Sequence, residues 1–266
     1  MTMIRSILKM CELFGITAIK KVNITGLLNE FFSHSDAHPN GWGLAVFDDR
    51  NVIVEKEPLK ASKSHYLKSR LHDTIETSGL FAHIRKATIG GDSYSNTHPF
   101  VATDNSGRTW TLVHNGTIFD APVLSGYRHY QKGTTDSERI LLYIVDQVNR
   151  HIAEKSDVFD DDARFHLIEK IIKELSPENK LNLLIYDGEH MYVHKNAAGT
   201  LYIKEQSGVT IFSTRPLCGT NWNEVPQNKL LVYKEGSTVY SGTPHKHSYI
   251  EDPERIKLLF MEYSHL

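Results

Sequence analysis

Met10-Cys11-Glu12-Leu13-Phe14-Gly15-Ile16 sets a cysteine at the head of a short apolar run, the pattern of a buried strand. One account of Cys11 is structural, because free cysteine is among the most buried residue types and packs as a small apolar side chain. Met10 opens a second account. With translation starting at Met10 and that methionine trimmed, Cys11 becomes the first residue and carries a free α-amine beside its thiol. An α-amine titrates near ~7.7–8.0, close to the optimum for a general base at neutral pH. Nucleophile and base then belong to one residue.

Outward from this strand the pattern runs strands, two helices, strands again. Short apolar or alternating runs at 12–16, 42–47, 52–55, 79–87 and 109–118 are bounded by turn residues such as Asn40-Gly41 and Asp48-Asp49. From Asp136, apolar residues at Ile140, Leu141, Ile144, Val145, Val148 and Ile152 fall on one helix face, and Thr135 with Glu138 makes a capping-box pattern at its start. Phe165, Ile168, Ile171, Ile172 and Leu175 predict a second amphipathic helix, ended near Pro177. Strands resume at 181–186, 191–194, 201–205, 209–213 and 229–233, with Asp187-Gly188 as a hairpin turn, and a short helix is expected within 252–266. Strands and helices grouped in this way predict an α+β fold with mostly antiparallel sheets, the helices covering a sheet in a layered sandwich.

The chain is 266 residues long, 40% hydrophobic and 23% charged, which supplies enough apolar material for a core. No window reaches the ~18 uninterrupted apolar residues of a membrane span. A formal charge of −2 favours neither nucleic acid nor anionic lipid as a partner. Cys11 and Cys218 are too few and too far apart for a secreted disulfide framework. The opening MTMIRSILKM lacks the apolar stretch and cleavage site of a secretory signal, so a cytoplasmic protein is expected. With no linker, repeat or low-complexity tract, residues 11–266 read as one domain behind a ten-residue extension, either a mis-assigned start or a propeptide.

Three further strings could carry chemistry. Phe81-Ala82-His83-Ile84-Arg85-Lys86-Ala87-Thr88 places an arginine in an apolar strand, where it needs an anion, either a structural ion-pair partner or a ligand carboxylate gripped by the guanidinium fork. His114-Asn115-Gly116 is a hairpin turn by local rule, yet an Asn amide beside a Gly N–H also forms an oxyanion hole. Thr135-Asp136-Ser137-Glu138 is a helix start with favourable acidic charge, or a carboxylate placed to receive a substrate ammonium.

Taken in order, the strings 10–16, Asn40-Gly41-Trp42-Gly43-Leu44-Ala45, 82–88, Asn96-Thr97-His98-Pro99-Phe100, 114–116 and 135–138 resemble class II glutamine amidotransferases, whose nucleophile is an N-terminal cysteine. The resemblance implies the N-terminal-nucleophile hydrolase fold, a four-layer αββα sandwich. It implies that Cys11 attacks the side-chain amide of glutamine, forming a γ-glutamyl thioester and releasing ammonia, while Asn115 and Gly116 hold the oxyanion. Arg85 would take the substrate α-carboxylate and Asp136 its α-ammonium. Thr88, His98 and His114 join the substrate-binding set, with His83, His98 and His114 as hydrogen-bonding supports. No cofactor or metal is implied. The chain most resembles the small stand-alone branch, not glucosamine-6-phosphate synthase or the phosphoribosyl-pyrophosphate amidotransferase, so a separate enzyme is the expected ammonia acceptor.

The synthases place an aromatic residue after the clamp arginine and a histidine after the threonine, where this chain has Lys86 and Ile89. That difference leaves room for an amidohydrolase acting on another γ-glutamyl amide with water. A non-catalytic glutamine-binding or scaffold subunit is the third reading, since with residues 1–10 attached the Cys11 nitrogen is an amide and no base. His34 and His38, four apart, and His245-Lys246-His247 lack a carboxylate or cysteine at ligand spacing and are expected on the surface. Asp160-Asp161-Asp162 reads as a solvated helix start, and Cys218 as structural.

Overall fold

Leu13 and Phe14 are neighbours in sequence but are buried in different cores, the period-two signature of a strand covered on both faces. The computed structural model describes residues 10–48, 51–88, 90–154, 159–252 and 254–255. In it β1 (Glu12–Asn23) lies inside a seven-stranded sheet with β2 (Trp42–Asp48), β3 (Asn51–Glu57), β4 (Glu76–Ile84), β9 (Tyr202–Gln206), β10 (Val209–Ser213) and β11 (Asn223–Glu224), in the order β11-β9-β10-β1-β4-β2-β3. A six-stranded sheet holds β5 (Phe100–Thr103), β6 (Thr109–His114), β7 (Leu183–Tyr186), β8 (Met191–His194), β12 (Leu231–Lys234) and β13 (Ser237–Ser241), in the order β13-β12-β8-β7-β6-β5. Every strand pairing in both sheets is antiparallel.

Three apolar layers hold the stack together. Leu13, Ala45, Phe47, Phe81, Val113, Leu184, Val193 and Phe212 fill the space between the sheets. Phe14, Ile16, Trp42, Leu44, Leu80 and Ile84 face outward from the first sheet onto α1 (Thr25–Ser33) and α2 (His65–Arg70), which contribute Leu28, Phe31, Phe32 and Leu67. Trp110, Leu112, Leu183, Ile185 and Tyr192 face outward from the second sheet onto α3 (Asp136–Glu154) and α4 (Asp161–Leu175). The result is helices, sheet, sheet, helices, the four-layer order expected. Gly15 lets the sheets close: a Cβ there would lie 2.5 Å from Leu184 Cδ1.

Several boundaries differ from expectation for identifiable reasons. β1 runs past Ile16 to Asn23 because its exposed end still pairs, with Val22 opposite Thr77 and Asn23 opposite Glu76. β4 stops at Ile84 and β6 at His114, short of the predicted 87 and 118. The helices α1 and α2 were not expected. α1 has nine residues and α2 six, too short for a helical period to stand out from neighbouring strand signals. At α3 half of the capping box forms: Thr135 Oγ1 accepts the Glu138 N–H at 3.3 Å, but the Glu138 carboxylate accepts the Lys132 and Gly133 N–H groups instead. The expected helix over 252–266, Ile89 and residues 1–9 lie wholly or mostly outside the described residues. No helix among the described residues is long and apolar enough to cross a membrane.

Candidate active site

Cys11 sits one residue before β1, and the pairing of Glu12 with Ile84 brings the end of β4 alongside it. Its Sγ lies 3.3 Å from both the carbonyl oxygen and the amide nitrogen of Lys86, donating to the first and accepting from the second. The thiol is pushed up from its ordinary value by burial and by the Asp136 carboxylate; the Lys86 N–H and the Arg85 charge pull the other way. Arg85 and Asp136, 51 positions apart in the chain, therefore both act on the thiol through space.

Arg85 is almost wholly buried where the chain leaves β4. Its backbone is fixed by the Asn40-Gly41 turn: Arg85 N–H donates to Gly41 O at 2.8 Å, and Asn40 N–H donates to Arg85 O at 3.0 Å. Its guanidinium donates to Gly90 O at 2.7 Å and Gly91 O at 3.1 Å, and holds Asp92 Oδ1 at a long 3.4 Å. Thr88, half-buried, lies on the same loop, three residues beyond Arg85.

Asn115-Gly116 is not a hairpin turn. Asn115 N–H donates to Asn182 O at 2.8 Å, and Thr117 exchanges both backbone bonds with Lys180, so the chain runs on beside 180–182 in extended form. Gly116 is required by that approach, because a Cβ would stand 2.0 Å from Lys180 O and 2.3 Å from His114 Nε2. The Asn115 amide nitrogen meets Thr214 Oγ1 at 3.4 Å, and that hydroxyl accepts the Leu13 N–H at 2.9 Å. Asn115 is thereby tied to the strand that carries Cys11. Its buried Oδ1 has no hydrogen-bond partner among the described residues.

Asp136 begins α3, its carboxylate accepting Ile118 N–H at 2.8 Å and Ser137 N–H at 2.8 Å. His114 sits behind it, with Nδ1 3.0 Å from Ser137 Oγ and Nε2 3.2 Å from Lys180 O; burial pulls its pKa down and Asp136 opposes that. His83 makes one bond, to His114 O at 3.3 Å, and burial takes it down to about 3. His98 departs from the hydrogen-bonding expectation. Its ring stacks on His83 at 4.1 Å, meets Phe100 at 4.6 Å, and neither nitrogen has a hydrogen-bond partner among the described residues.

Four residues missed in the sequence also reach this centre. His38, expected on the surface, is fully buried: Nε2 lies 2.8 Å from Met10 O and Nδ1 2.9 Å from His34 O. A neutral ring can donate to only one of those carbonyls; burial pulls His38 down, and the two bonds push it back up. Glu12 is the carboxylate that seemed lacking. It is buried, 2.8 Å from His34 Nδ1, and pairs with Arg215. Lys180 has its ammonium 3.1 Å from Met10 Sδ and 3.9 Å from Glu251. Thr214 is the fourth. Each is brought in by pairing across long sequence separations, for which no local string gives a sign. Elsewhere, His245 is half-buried, its Nε2 3.0 Å from His194 Nε2. Asp160 caps α4 through the Ala163 N–H. Asp161, Glu189 and His190 stand close enough to share a cation, but Arg164 already pairs with both carboxylates and Lys234 with Glu189.

With this geometry in place, the likeness to known proteins is informative. Residues 10–206 match the family model described as class II glutamine amidotransferases. An uncharacterised protein of Methanocaldococcus jannaschii is 32% identical over 259 residues, covering 87% of this chain and 71% of the relative. YafJ of Escherichia coli, which carries a glutamine amidotransferase name, is 28% identical over 86% of this chain and 100% of its own length. Among solved structures, a Pseudomonas aeruginosa protein of the same description superposes with a TM-score of 0.63 at 20% identity, covering 86% of this chain and all of the other. The Bacillus subtilis glutamine phosphoribosylpyrophosphate amidotransferase gives 0.62 at 18%, over 86% of this chain and 48% of that one. At such identities the structures speak for the fold alone, which is that of the N-terminal-nucleophile hydrolases. The chain belongs to the class II glutamine amidotransferase family.

Proposed function

We propose that this chain, once Cys11 is its first residue, hydrolyses the side-chain amide of glutamine and delivers the ammonia to a separate acceptor enzyme. The observation that carries this reading is that Arg85 and Asp136, from two separate segments, both act on the half-buried Cys11 thiol, while Thr214 ties Asn115 to the strand that Cys11 leads into. A zwitterionic amino acid needs one cation and one anion, which Arg85 and Asp136 offer. Its α-carboxylate exchanges for the long Arg85–Asp92 contact, and its ammonium faces Asp136.

In this reading the Cys11 α-amine takes the thiol proton as sulfur attacks the amide carbon. The Asn115 side-chain amide and the Gly116 N–H receive the oxyanion. Collapse of the tetrahedral intermediate breaks the C–N bond, the α-ammonium returns its proton to the leaving nitrogen, and ammonia departs. Water then hydrolyses the thioester to glutamate. The raised thiol pKa makes the α-amine necessary, since little thiolate forms without a base. The replacement of an aromatic residue and a histidine by Lys86 and Ile89 favours a second reading, hydrolysis of a different γ-glutamyl amide with water as the acceptor.

The test is intact-mass spectrometry of protein expressed from Met1 and from Met10, with and without 6-diazo-5-oxo-norleucine. The expected result is that the Met10 product loses its methionine and gains one adduct, which Cys11→Ala abolishes. A free N-terminal Cys11 that takes no adduct and releases no ammonia from glutamine overturns the glutaminase reading.

A further inference from the structure

Among the described residues, Lys180 is a cation without an adequate anion. Its side chain is only 7% exposed, while its Glu251 partner stands at 3.9 Å, too far for a hydrogen bond. Among the described residues the ammonium donates to the Met10 thioether at 3.1 Å, a weak acceptor. Burial pulls the Lys180 pKa down, and Glu251 and Cys11 are the groups that hold it up. A buried ammonium is costly unless an oxygen anion meets it.

The place where such an anion would come from follows from the reaction. The α-nitrogen of Cys11 must protonate the leaving nitrogen, so the two lie within hydrogen-bond reach of one another. In the chain with its extension, the group bonded to the Cys11 nitrogen is Met10. A group attached to the leaving nitrogen can therefore extend into the space that Met10 fills. Lys180 lines that space at the Met10 side chain, and His38 lines it at the Met10 carbonyl. Removal of Met10 frees an ammonium and the Nε2 edge of the His38 ring toward the same leaving group. The backbone of Lys180 is held beside Asn115-Gly116 by its exchange of hydrogen bonds with Thr117, so the ammonium is set on a rigid support.

Resting on the amide-hydrolysis reading above, we infer that Lys180 forms a leaving-group subsite for γ-glutamyl amides whose amine carries a carboxylate, such as γ-glutamyl amino acids. Bare glutamine leaves this subsite without an anion. The reaction stays an amide hydrolysis: the C–N bond breaks, the amine leaves with the proton from the α-ammonium, and water releases glutamate.

The experiment uses the full chain starting at Cys11, checked by mass, and three substrates: glutamine, γ-glutamylglycine and γ-glutamylglycinamide. The last two differ by one charge at equal size. The expected kcat/KM for γ-glutamylglycine is tenfold or more above that for the glycinamide, the effect of one well-placed ion pair. Lys180→Met brings that ratio to about one, and Lys180→Arg, which keeps the charge, retains most of it. A ratio near one in the unaltered protein, or the same ratio in Lys180→Met, overturns the subsite while leaving amide hydrolysis standing. Failure to hydrolyse any of the three, with Cys11 free, overturns the underlying reading and the subsite with it.

Discussion

At the scale of single residues, Thr214 shows how the candidate site is held. Its hydroxyl accepts the Leu13 N–H and meets the Asn115 amide, so one oxygen joins the strand behind the thiol to the proposed oxyanion donor. Thr214→Val keeps the shape and removes the oxygen. Losing the acceptor for one N–H is expected to cost about 1–3 kcal/mol of stability by urea unfolding, and kcat for amide hydrolysis should fall about tenfold, because a swivelling Asn115 loses transition-state contact. Thr214→Ser should recover most of both. Cys11, Arg85, Asn115, Gly116 and Asp136 were legible in the sequence because each lies in a distinctive local string. Thr214 was not, since its partner Leu13 is 201 positions away and only strand pairing joins them. Glu12 was hidden differently: it belongs to the cysteine string, but its histidine partner is 22 residues on and carries no motif.

At the scale of elements, α3 and α4 were read correctly because long apolar faces repeat over four or more turns. The short α1 and α2 were not, since a run such as Leu27-Leu28-Asn29-Glu30-Phe31-Phe32 serves a strand pattern as readily as a two-turn helix. Caps separate structural from chemical roles at helix starts. Asp160 accepts the Ala163 N–H at 2.9 Å and does nothing at the candidate site. Asp160→Ala should therefore cost about 1 kcal/mol in thermal or urea unfolding and leave amide hydrolysis unchanged. Asp136, at the start of the neighbouring helix, acts electrostatically on the Cys11 thiol as well as accepting its own N–H partners. Asp136→Asn should raise KM for glutamine at least tenfold, measured by ammonia release, and should also cost about 1–3 kcal/mol in urea unfolding, because one of the Ile118 and Ser137 N–H groups loses its acceptor.

At the scale of the whole molecule, burial of neutral histidines makes stability depend on pH. His83 and His194 are fully buried, and burial holds each down to about 3. Unfolded, each titrates near ~6.5, so the unfolded chain binds protons that the folded chain refuses. Their contribution is complete above that value and is lost as pH falls toward about 3. The two rings together should remove roughly 2 kcal/mol between pH 6 and pH 5. Urea unfolding at both values measures this, and His194→Gln should reduce the pH slope by about one proton. The layered stack itself was legible from the grouping of strands and helices. Strand order was not, because β1 pairs with β4 and β10, one of them nearly two hundred residues away. That central position of β1 has a kinetic meaning. Cys11 leads into the strand with neighbours on both edges, and its amides can open to solvent only when most of the molecule opens too. Hydrogen exchange at 13–17 should therefore run among the slowest in the chain, at the rate set by global unfolding. The proposed nucleophile is anchored directly to that strand, and its position lasts as long as the fold does.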